Sequence, residues 1–216
     1  MGGVAMGRAV SRRAGGTWGV AVCIALAASG AHAQGIPPLQ ERLQLCAGCH
    51  NPDGNSIIPA NPRLAGQDAG YLARQMADFK AGARKNEQMS AIIATVDAKE
   101  FDALAEHFSK QKPAKPASAA DAKLAEQGKA IFEEGIVGSA VPACSGCHED
   151  DGSGSDKYPR VAGQHVDYVV AQLMAFKSGA RANDSKALMR AVAKRMSEAE
   201  MRAVATYIAT LEGRQE

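Results

Sequence analysis

Two similar clusters of cysteine and histidine are the residues in this sequence best suited to chemistry. They read Cys46-Ala47-Gly48-Cys49-His50 and Cys144-Ser145-Gly146-Cys147-His148. Cys-x-x-Cys-His is the attachment signature of c-type haem, because two thiols at this spacing can reach the two vinyl groups of one porphyrin. The adjacent histidine then supplies an axial ligand to the iron. The spacing therefore predicts two covalently bound haem c groups, held by Cys46, Cys49, Cys144 and Cys147, with His50 and His148 on the irons.

Three other interpretations of a Cys-x-x-Cys pair compete with haem attachment: a thioredoxin-like redox pair, a structural disulfide and half of a zinc site. A redox pair of the thioredoxin type needs a strand–helix–strand pattern around it, and the sequence shows none. A zinc site does not require histidine directly after the second cysteine of both pairs. The two pairs also use every cysteine that follows residue 33. Haem is the favoured interpretation.

The first 33 residues have the features of a secretory signal peptide. Arg8, Arg12 and Arg13 form a basic start, residues 18–28 form an apolar stretch, and Ala31-His32-Ala33 fits the small-x-small cleavage pattern. An uncleaved membrane anchor is the alternative, but the apolar stretch is too short to span a bilayer, which takes about 20 residues. We therefore expect cleavage after about Ala33 and a periplasmic protein.

The charge of the remaining chain excludes one broad class of partner. Residues 34–216 carry 22 basic and 23 acidic side chains. A nucleic-acid-binding surface needs clustered basic charge, and this near-neutral balance gives no case for it. No later stretch approaches the roughly 20 apolar residues of a membrane span. We expect no nucleic-acid partner and at most peripheral membrane association.

The two motifs belong to a longer internal repeat. The segment Asn-Pro-Arg-Leu-Ala-Gly-Gln at 61–67 returns as Tyr-Pro-Arg-Val-Ala-Gly-Gln at 158–164. Eight further residues return 97 positions later: Tyr71, Gln75, Phe79, Lys80, Gly82, Ala83, Arg84 and Asn86. Between the copies lies a stretch rich in Pro, Ala and Lys, which is typical of a semi-rigid linker. The repeat predicts domains at 34–112 and 121–216, joined by a linker at 113–120, with one haem in each domain.

Apolar spacing predicts the same helices in each copy. A first helix is expected at 39–46 and 122–132, and a second has an apolar face that runs from Tyr71 to Phe79 and from Tyr168 to Phe176. Gly82 and Gly179 are placed to end the second helix. The last helix is expected to begin at Asp97 and at Ser197, each followed three residues later by glutamate, which is a capping-box pattern. No segment shows convincing strand alternation, so the fold class predicted is all-α.

The second axial ligand decides what each iron can do, because a strong sixth ligand makes an electron carrier and an open position allows substrate chemistry. Six methionines follow the first motif: Met76, Met89, Met174, Met189, Met196 and Met201. Methionine is more often core filler than ligand. The repeat discriminates among them, since only Met89 and Met189 occupy matching positions. We therefore predict Met89 and Met189 as ligands, both between the repeated Arg/Asn turn and the last helix of each copy.

Arg84 and Arg181 are weaker candidates for a haem contact. They could pair with haem propionates, and Tyr71 and Tyr168 could donate hydrogen bonds to the same groups. The alternative is that each arginine is a cation at a helix C-terminus and each tyrosine an amphipathic core residue. The sequence leaves both interpretations open.

Taken with the repeated Pro-Arg-x-Ala-Gly-Gln and Tyr-x-x-x-Gln segments, the motifs make the chain after residue 33 resemble dihaem class I cytochromes of the cytochrome c4 type. The resemblance implies two tandem cytochrome c domains related by a pseudo-twofold axis. It also implies His/Met ligation at both irons, through His50 with Met89 and His148 with Met189. The carbonyls of Pro62 and Pro159 are then expected to accept the Nδ1–H of the two histidines.

Three functional classes follow from this resemblance. The first is an electron carrier between a quinol-oxidising complex and a terminal oxidase or reductase. The second is the dihaem cytochrome subunit of a larger dehydrogenase, such as flavocytochrome c sulfide dehydrogenase. The third is a dihaem peroxidase, which needs one iron that can open, and the matched methionines argue against it. The prediction is an electron carrier and not an enzyme, with redox proteins as its partners.

Overall fold

The computed structural model of the 216-residue chain describes residues 1–5, 7, 39–116 and 118–214. The chain divides after Gly35, and the unit from Ile36 to Glu216 holds both cysteine motifs. The predicted signal peptide lies outside the described residues, apart from residues 1–5 and 7. Among the helices that the structure describes, none has the length and apolar character needed to cross a bilayer.

The described part of the chain is helical and contains no β-strand. Its α-helices, in chain order, are α1 Leu39–His50, α2 Ala69–Lys80, α3 Glu87–Ala94, α4 Phe101–Ser109, α5 Ala122–Glu134, α6 Ser145–His148, α7 Val166–Ser178, α8 Leu188–Lys194 and α9 Glu198–Ile208. The one strand-like feature there is an isolated antiparallel bridge between Ile136 and Val141. The all-α prediction is confirmed.

Each copy of the repeat builds its own core. In the first copy α4 packs on α1 and α2, and its buried residues Leu104 and Phe108 meet Leu72, Phe79 and Ile93 from the earlier helices. This pattern follows from apolar residues spaced at three and four positions along each helix, which give one face to bury.

The second copy forms a separate core around α9. This helix packs on α5 and α7, and it buries Met201 and Val204 against Phe132 of α5 and Leu173 of α7. No residue is shared between this cluster and that of the first copy. Two cores in one chain are what a duplicated module predicts.

Local sequence signals place most helix ends correctly. The side chains of Ser197 and Glu200 form the expected capping box at the start of α9. In the first copy Asp97 and Glu100 form the same box, but the chain first makes a 3-10 turn at Ala98–Glu100 before α4 begins. Gly179 ends α7 with a left-handed backbone, at a φ of 81°. Glycine adopts this conformation without steric cost, which explains its place there.

The structure corrects the prediction of the helix that leads into each Cys-x-x-Cys-His motif. The first helix does not end at Cys46 but continues to His50, so the whole first motif lies on α1. The matching helix α5 ends at Glu134, well before Cys144, and the chain turns through the bridge of Ile136 and Val141. The second motif instead lies on the short helix α6. The second copy thus carries an inserted turn that the first copy lacks.

The structure contains a helix at each of Met89 and Met189 that the sequence did not predict. Met89 lies in the first turn of α3, whose N-terminus is capped by the side chain of Asn86. Met189 lies in the first turn of α8, after a 3-10 turn at Ser185–Ala187 with left-handed backbone at Lys186 and Ala187. That turn absorbs the three extra residues that separate Met189 from Arg181, compared with Met89 and Arg84.

Gly128 lies where α5 packs closely on α9, and this position leads to a prediction. A Cβ atom at this buried position would lie 2.0 Å from the carbonyl oxygen of Ala203, so any larger residue must force the helices apart. We expect Gly128→Ala to lower the free energy of unfolding by about 1–3 kcal/mol or more, the usual cost of overpacking. Thermal denaturation of the holoprotein measures this. Gly138→Ala is the matched control, since a Cβ there meets nothing within 4 Å. Equal midpoints for both variants would contradict this account of the crossing.

Candidate haem-binding sites

The two motif histidines are held in the same way by a proline carbonyl. His50 ends α1, and its Nδ1 lies 2.9 Å from the carbonyl oxygen of Pro62. His148 ends α6, and its Nδ1 lies 2.8 Å from the carbonyl oxygen of Pro159. A carbonyl can only accept, so Nδ1 carries the proton and the lone pair of Nε2 is left for a metal. These contacts confirm what the family resemblance implied.

The surroundings of both histidines favour the neutral ring. Burial lowers the pKa of His50 and of His148, and the hydrogen bond to the proline carbonyl opposes this only in part. Neutral imidazole is the form that binds a metal ion. Both rings are therefore prepared as ligands near neutral pH.

The surroundings of the first cysteine of each motif disfavour a thiolate. Burial raises the pKa of Cys46, and it raises the pKa of Cys144 to about 11. Thiol–disulfide exchange needs a thiolate, so these positions do not suit a thioredoxin-like redox pair. The four cysteines of the motifs are unpaired, and the described ranges contain no group of three or more His, Cys, Asp or Glu side chains that could hold a metal ion. The structure thus gives no support to the disulfide and zinc interpretations.

The apolar residues around each motif fit a porphyrin. Cys46 and Met89 pack against the first core beside Leu43, Leu72 and Ile93. In the second copy Cys144 and Met189 pack against the core that contains Leu173. A porphyrin is largely apolar, so two thiols and an unprotonated ring nitrogen beside an apolar core are the right donor set for covalent haem.

Burial separates the methionines into two groups. Met196 and Met201 are almost completely enclosed, with 2% and 0% of their surface exposed. Four others are partly buried against a core: Met76, Met89, Met174 and Met189. Full enclosure among apolar neighbours indicates core packing for Met196 and Met201. Burial alone does not choose within the second group.

A reciprocal pair of glutamines joins the two copies. The side chain of Gln67 donates from Nε2 to the carbonyl oxygen of Arg160 and accepts from its backbone N–H, both at 2.9 Å. Gln164 does the same to Arg63, at 3.0 and 2.9 Å. Gln67 and Gln164 are the last residues of the repeated Pro-Arg-x-Ala-Gly-Gln segment. Their exchange is the pattern expected of two modules related by a twofold axis.

Arg84 and Arg181 form a second reciprocal contact between the copies. Arg84 donates from Nη1 to Gln75 at 2.8 Å, and from Nη2 to Tyr168 and Gln172 at 2.9 Å. Arg181 donates from Nη1 to Gln172 at 2.8 Å, and from Nη2 to Tyr71 and Gln75 at 3.0 Å. Both arginines are buried. Neither guanidinium forms an ion pair with a carboxylate in the ranges that the structure describes.

This network answers part of the question that the sequence left open. The arginines do not simply end helices, and the tyrosines accept hydrogen bonds from the opposite copy. Asp78 lies in the same network and offsets part of the charge of the two buried cations, and anionic haem propionates would offset the rest. The propionate contact stays a prediction.

The sequence did not predict that these residues hold the copies together. The repeat marked Gln67, Gln75 and their counterparts as shared, which was the available signal, but nothing in a single chain shows which shared residues face the other copy. A further contact breaks the symmetry: His165 donates from Nε2 to the carbonyl oxygen of Ser56 at 2.8 Å, at a position where the first copy has Asp68.

The helical fold, the two Cys-x-x-Cys-His motifs and their proline-held histidines define a c-type cytochrome with two haem groups. The family model for cytochrome c matches residues 125–212. Cytochrome c4 of Azotobacter vinelandii is 39% identical over 191 residues, covering 82% of this chain and 90% of that protein. The thiosulfate dehydrogenase electron acceptor of Stutzerimonas stutzeri is 38% identical over 169 residues, covering 77% of this chain and 78% of that protein.

The solved structures agree with the sequence relatives. The crystal structure of reduced recombinant cytochrome c4 from Pseudomonas stutzeri matches with a TM-score of 0.76 and 36% identity, covering 80% of this chain and 96% of that one. The chain belongs to the cytochrome c4 family.

The reciprocal glutamine contact generates a prediction. Gln67→Ala removes the side-chain amide that binds the backbone of Arg160. It leaves the N–H and the carbonyl of Arg160 buried at the interface without a partner. Each unsatisfied group costs about 1–3 kcal/mol, so we expect a clear loss of stability. Urea denaturation of the holoprotein measures it. Gln44→Ala, at an exposed position on α1, is the control and should change nothing. A Gln67→Ala variant as stable as that control would show that the contact does not hold the copies together.

Proposed function

We propose that this chain is an exported electron carrier in which each iron is held by one histidine and one methionine. His50 and Met89 serve the first haem, and His148 and Met189 serve the second. Cys46, Cys49, Cys144 and Cys147 form the thioether bonds. The observation that carries the proposal is the matched pair of methionines, each in the first turn of a helix that packs against its own core.

A His/Met pair suits transfer of electrons and not catalysis. Haem supplies the redox chemistry, and methionine as the axial ligand raises its potential. With both axial positions filled there is no site for a substrate, which argues against the peroxidase class. The chain's own contribution is to fix the histidine ring through Pro62 or Pro159 and to keep the surroundings apolar.

Electron exchange between the two haems is supported by the contacts between the copies. The reciprocal contacts of Gln67 with Arg160, Gln164 with Arg63, and Arg84 with Tyr168 hold the halves in one arrangement. A fixed arrangement keeps the haem-to-haem distance constant. We propose the domains as 34–112 and 121–216, with the linker at 113–120.

The route of the electrons is proposed from the family and the sequence. The signal-peptide features of residues 1–33 support a periplasmic location for the rest of the chain. Membership of the cytochrome c4 family supports transfer from a quinol-oxidising complex to a terminal oxidase or reductase. The methionine ligands favour the high-potential end of a respiratory chain.

A second candidate is service to a dehydrogenase. One relative is named a thiosulfate dehydrogenase electron acceptor, which favours a route in which electrons arrive from a periplasmic sulfur-oxidising enzyme. The dihaem subunit of a flavocytochrome c sulfide dehydrogenase belongs to the same group of possibilities. Isolation of the tagged protein from native cells separates the candidates: a dehydrogenase that co-purifies and reduces it favours the second, and rapid oxidation by the organism's own membranes favours the first.

The ligand assignment generates a prediction. Met89→Ala and Met189→Ala should each open one iron, lower the potential of that haem and remove half of the methionine-to-iron charge-transfer absorption. Met76→Leu and Met196→Leu are the matched controls and should leave that band intact. Absorption spectra and redox titrations of the four variants measure this. Loss of the band in Met196→Leu but not in Met189→Ala would refute the assignment by repeat position.

The carrier proposal generates a separate prediction. Because both irons are six-coordinate, the native reduced protein should not bind carbon monoxide appreciably and should show no substantial peroxidase turnover. Difference spectra under carbon monoxide and a standard peroxidase assay measure these properties, with Met189→Ala as the positive control for an opened site. Stoichiometric binding to either native ferrous haem would overturn the proposal and restore the enzyme class.

A further inference from the structure

Lys80 and Lys177 are residues that the repeat shares and that the proposed ligation does not use. Lys80 is the last residue of α2, and Lys177 is the last but one of α7. Neither forms an ion pair with a carboxylate in the part of the chain that the structure describes. Both ammonium groups instead donate to backbone carbonyls further along the chain. The shared lysine therefore has a shared backbone target.

The ammonium group of Lys80 binds the C-terminal end of α3, the helix whose first turn carries Met89. Its Nζ donates to the carbonyl oxygens of Ile93 at 3.3 Å and Ala94 at 3.0 Å, both in the last turn of α3. It also donates to the carbonyl oxygen of Val96 at 2.7 Å, two residues past that helix. An ammonium group has three protons, so each proton has an acceptor here. The last carbonyls of a helix lack helical partners and carry partial negative charge, which favours a cation at this end.

Helix α3 depends on such contacts because it has only eight residues. A helix shorter than about 12 residues is at best marginally stable in water. Its N-terminal end is held by Asn86, whose side chain accepts from the backbone N–H of Met89 at 2.9 Å. Its C-terminal end is held by the burial of Ile93 in the core and by Lys80. The lysine thus ties α3, and with it Met89, to the longer helix α2.

The second copy makes only part of this contact. Lys177 donates to the carbonyl oxygen of Met196, which lies two residues past the end of α8. The N-terminal end of α8 is held as well, because Asp184 accepts from the backbone N–H of Arg190 at 3.0 Å. The two methionine helices therefore differ at the C-terminal end. Lys80 binds last-turn carbonyls of α3 itself, whereas Lys177 binds the chain beyond α8.

A cation that only stabilises the end of its own helix is the alternative role for Lys80. Positive charge is favourable at the C-terminus of α2, where this residue lies. However, the carbonyls that it binds lie 13 to 16 positions later in the chain, in and after a different helix. The second copy repeats the contact at the matching carbonyl, that of Met196 in place of Val96. The contact therefore joins two helices.

We propose that Lys80 is a positioning residue for the first haem, holding the C-terminal end of α3 and thereby keeping Met89 in place as the ligand. The proposal rests on the ligation by His50 and Met89 proposed above. Release of α3 from α2 lets the methionine leave and opens the sixth position of the iron. Such local opening needs less free energy than unfolding of the whole chain. Lys177, with one such bond, holds the second methionine helix less firmly.

Added imidazole measures how readily the sixth position opens. It binds the ferric iron where methionine has left, so its apparent affinity rises with the fraction of open molecules. The test uses the intact holoprotein, and the haem methyl resonances of the ferric protein distinguish the two haems by NMR. Lys80→Ala should raise the affinity of the first haem for imidazole by about fivefold or more, because bonds to a charged group are among the stronger ones in proteins. The second haem should keep its native affinity.

Three further variants control for charge, for side-chain type and for the copy. Lys85→Ala removes an exposed positive charge two residues before α3 and should leave imidazole binding unchanged. Lys80→Arg keeps a cation that can donate to carbonyls, so it should keep most of the native behaviour. Lys177→Ala should raise the affinity of the second haem, but by less than Lys80→Ala raises that of the first.

A purely structural role for Lys80 gives a different result. The Lys80→Ala variant would then unfold at a lower urea concentration, while imidazole affinity without denaturant stayed native at both haems. That result would overturn the proposal, and so would an equal rise in affinity at both haems. A Lys85→Ala variant that behaved like Lys80→Ala would also overturn it, because loss of charge alone would then be the cause.

Failure of this proposal is distinct from failure of the ligand assignment. If Met89→Ala leaves the methionine-to-iron band intact, then Met89 is not the ligand, and the assignment fails whatever Lys80→Ala does. If Met89→Ala removes half of the band and Lys80→Ala leaves imidazole binding unchanged, only the positioning role of Lys80 is refuted.

Discussion

The hydrogen bond from each motif histidine to a proline carbonyl is the interaction on which the rest of the structure depends. It fixes the ring and its tautomer, but it also anchors a second contact, because the residue after each proline binds the other copy. Pro62 accepts from His50, and the backbone N–H and carbonyl of Arg63 bond the side-chain amide of Gln164. The proline that fixes each histidine ring is therefore bonded directly to the residue that contacts the other copy.

The sequence predicted the parts of the fold that local chemistry determines. The capping box of Ser197 and Glu200 and the left-handed Gly179 depend on residues close together in the chain, and both are found as expected. The motif histidines could be predicted as ligands because the Cys-x-x-Cys-His spacing is itself the haem-attachment signature. These features need no knowledge of what packs against them, so a single sequence is enough.

What the sequence did not predict depends on contacts between distant residues. Helix α8 has only seven residues, too few for apolar periodicity to stand out, and it begins after two residues with left-handed backbone. Packing against α7 stabilises it, and no residue pattern within α8 itself indicates this contact. The role of Arg84 is a similar case, since its partners Tyr168 and Gln172 lie more than 80 residues away. A repeat shows which residues are shared, but it does not show which of them meet.

The reciprocal glutamine contacts have a consequence for the origin of the molecule. In an isologous interface residue i of one subunit contacts residue j of the other, and j contacts i in return. Gln67 with Arg160 and Gln164 with Arg63 have this form within one chain. A single-haem ancestor carrying this segment could already associate with a second copy of itself as a symmetric homodimer. Joining two such copies in one chain makes that association permanent, and it leaves the two outer faces free to differ in sequence.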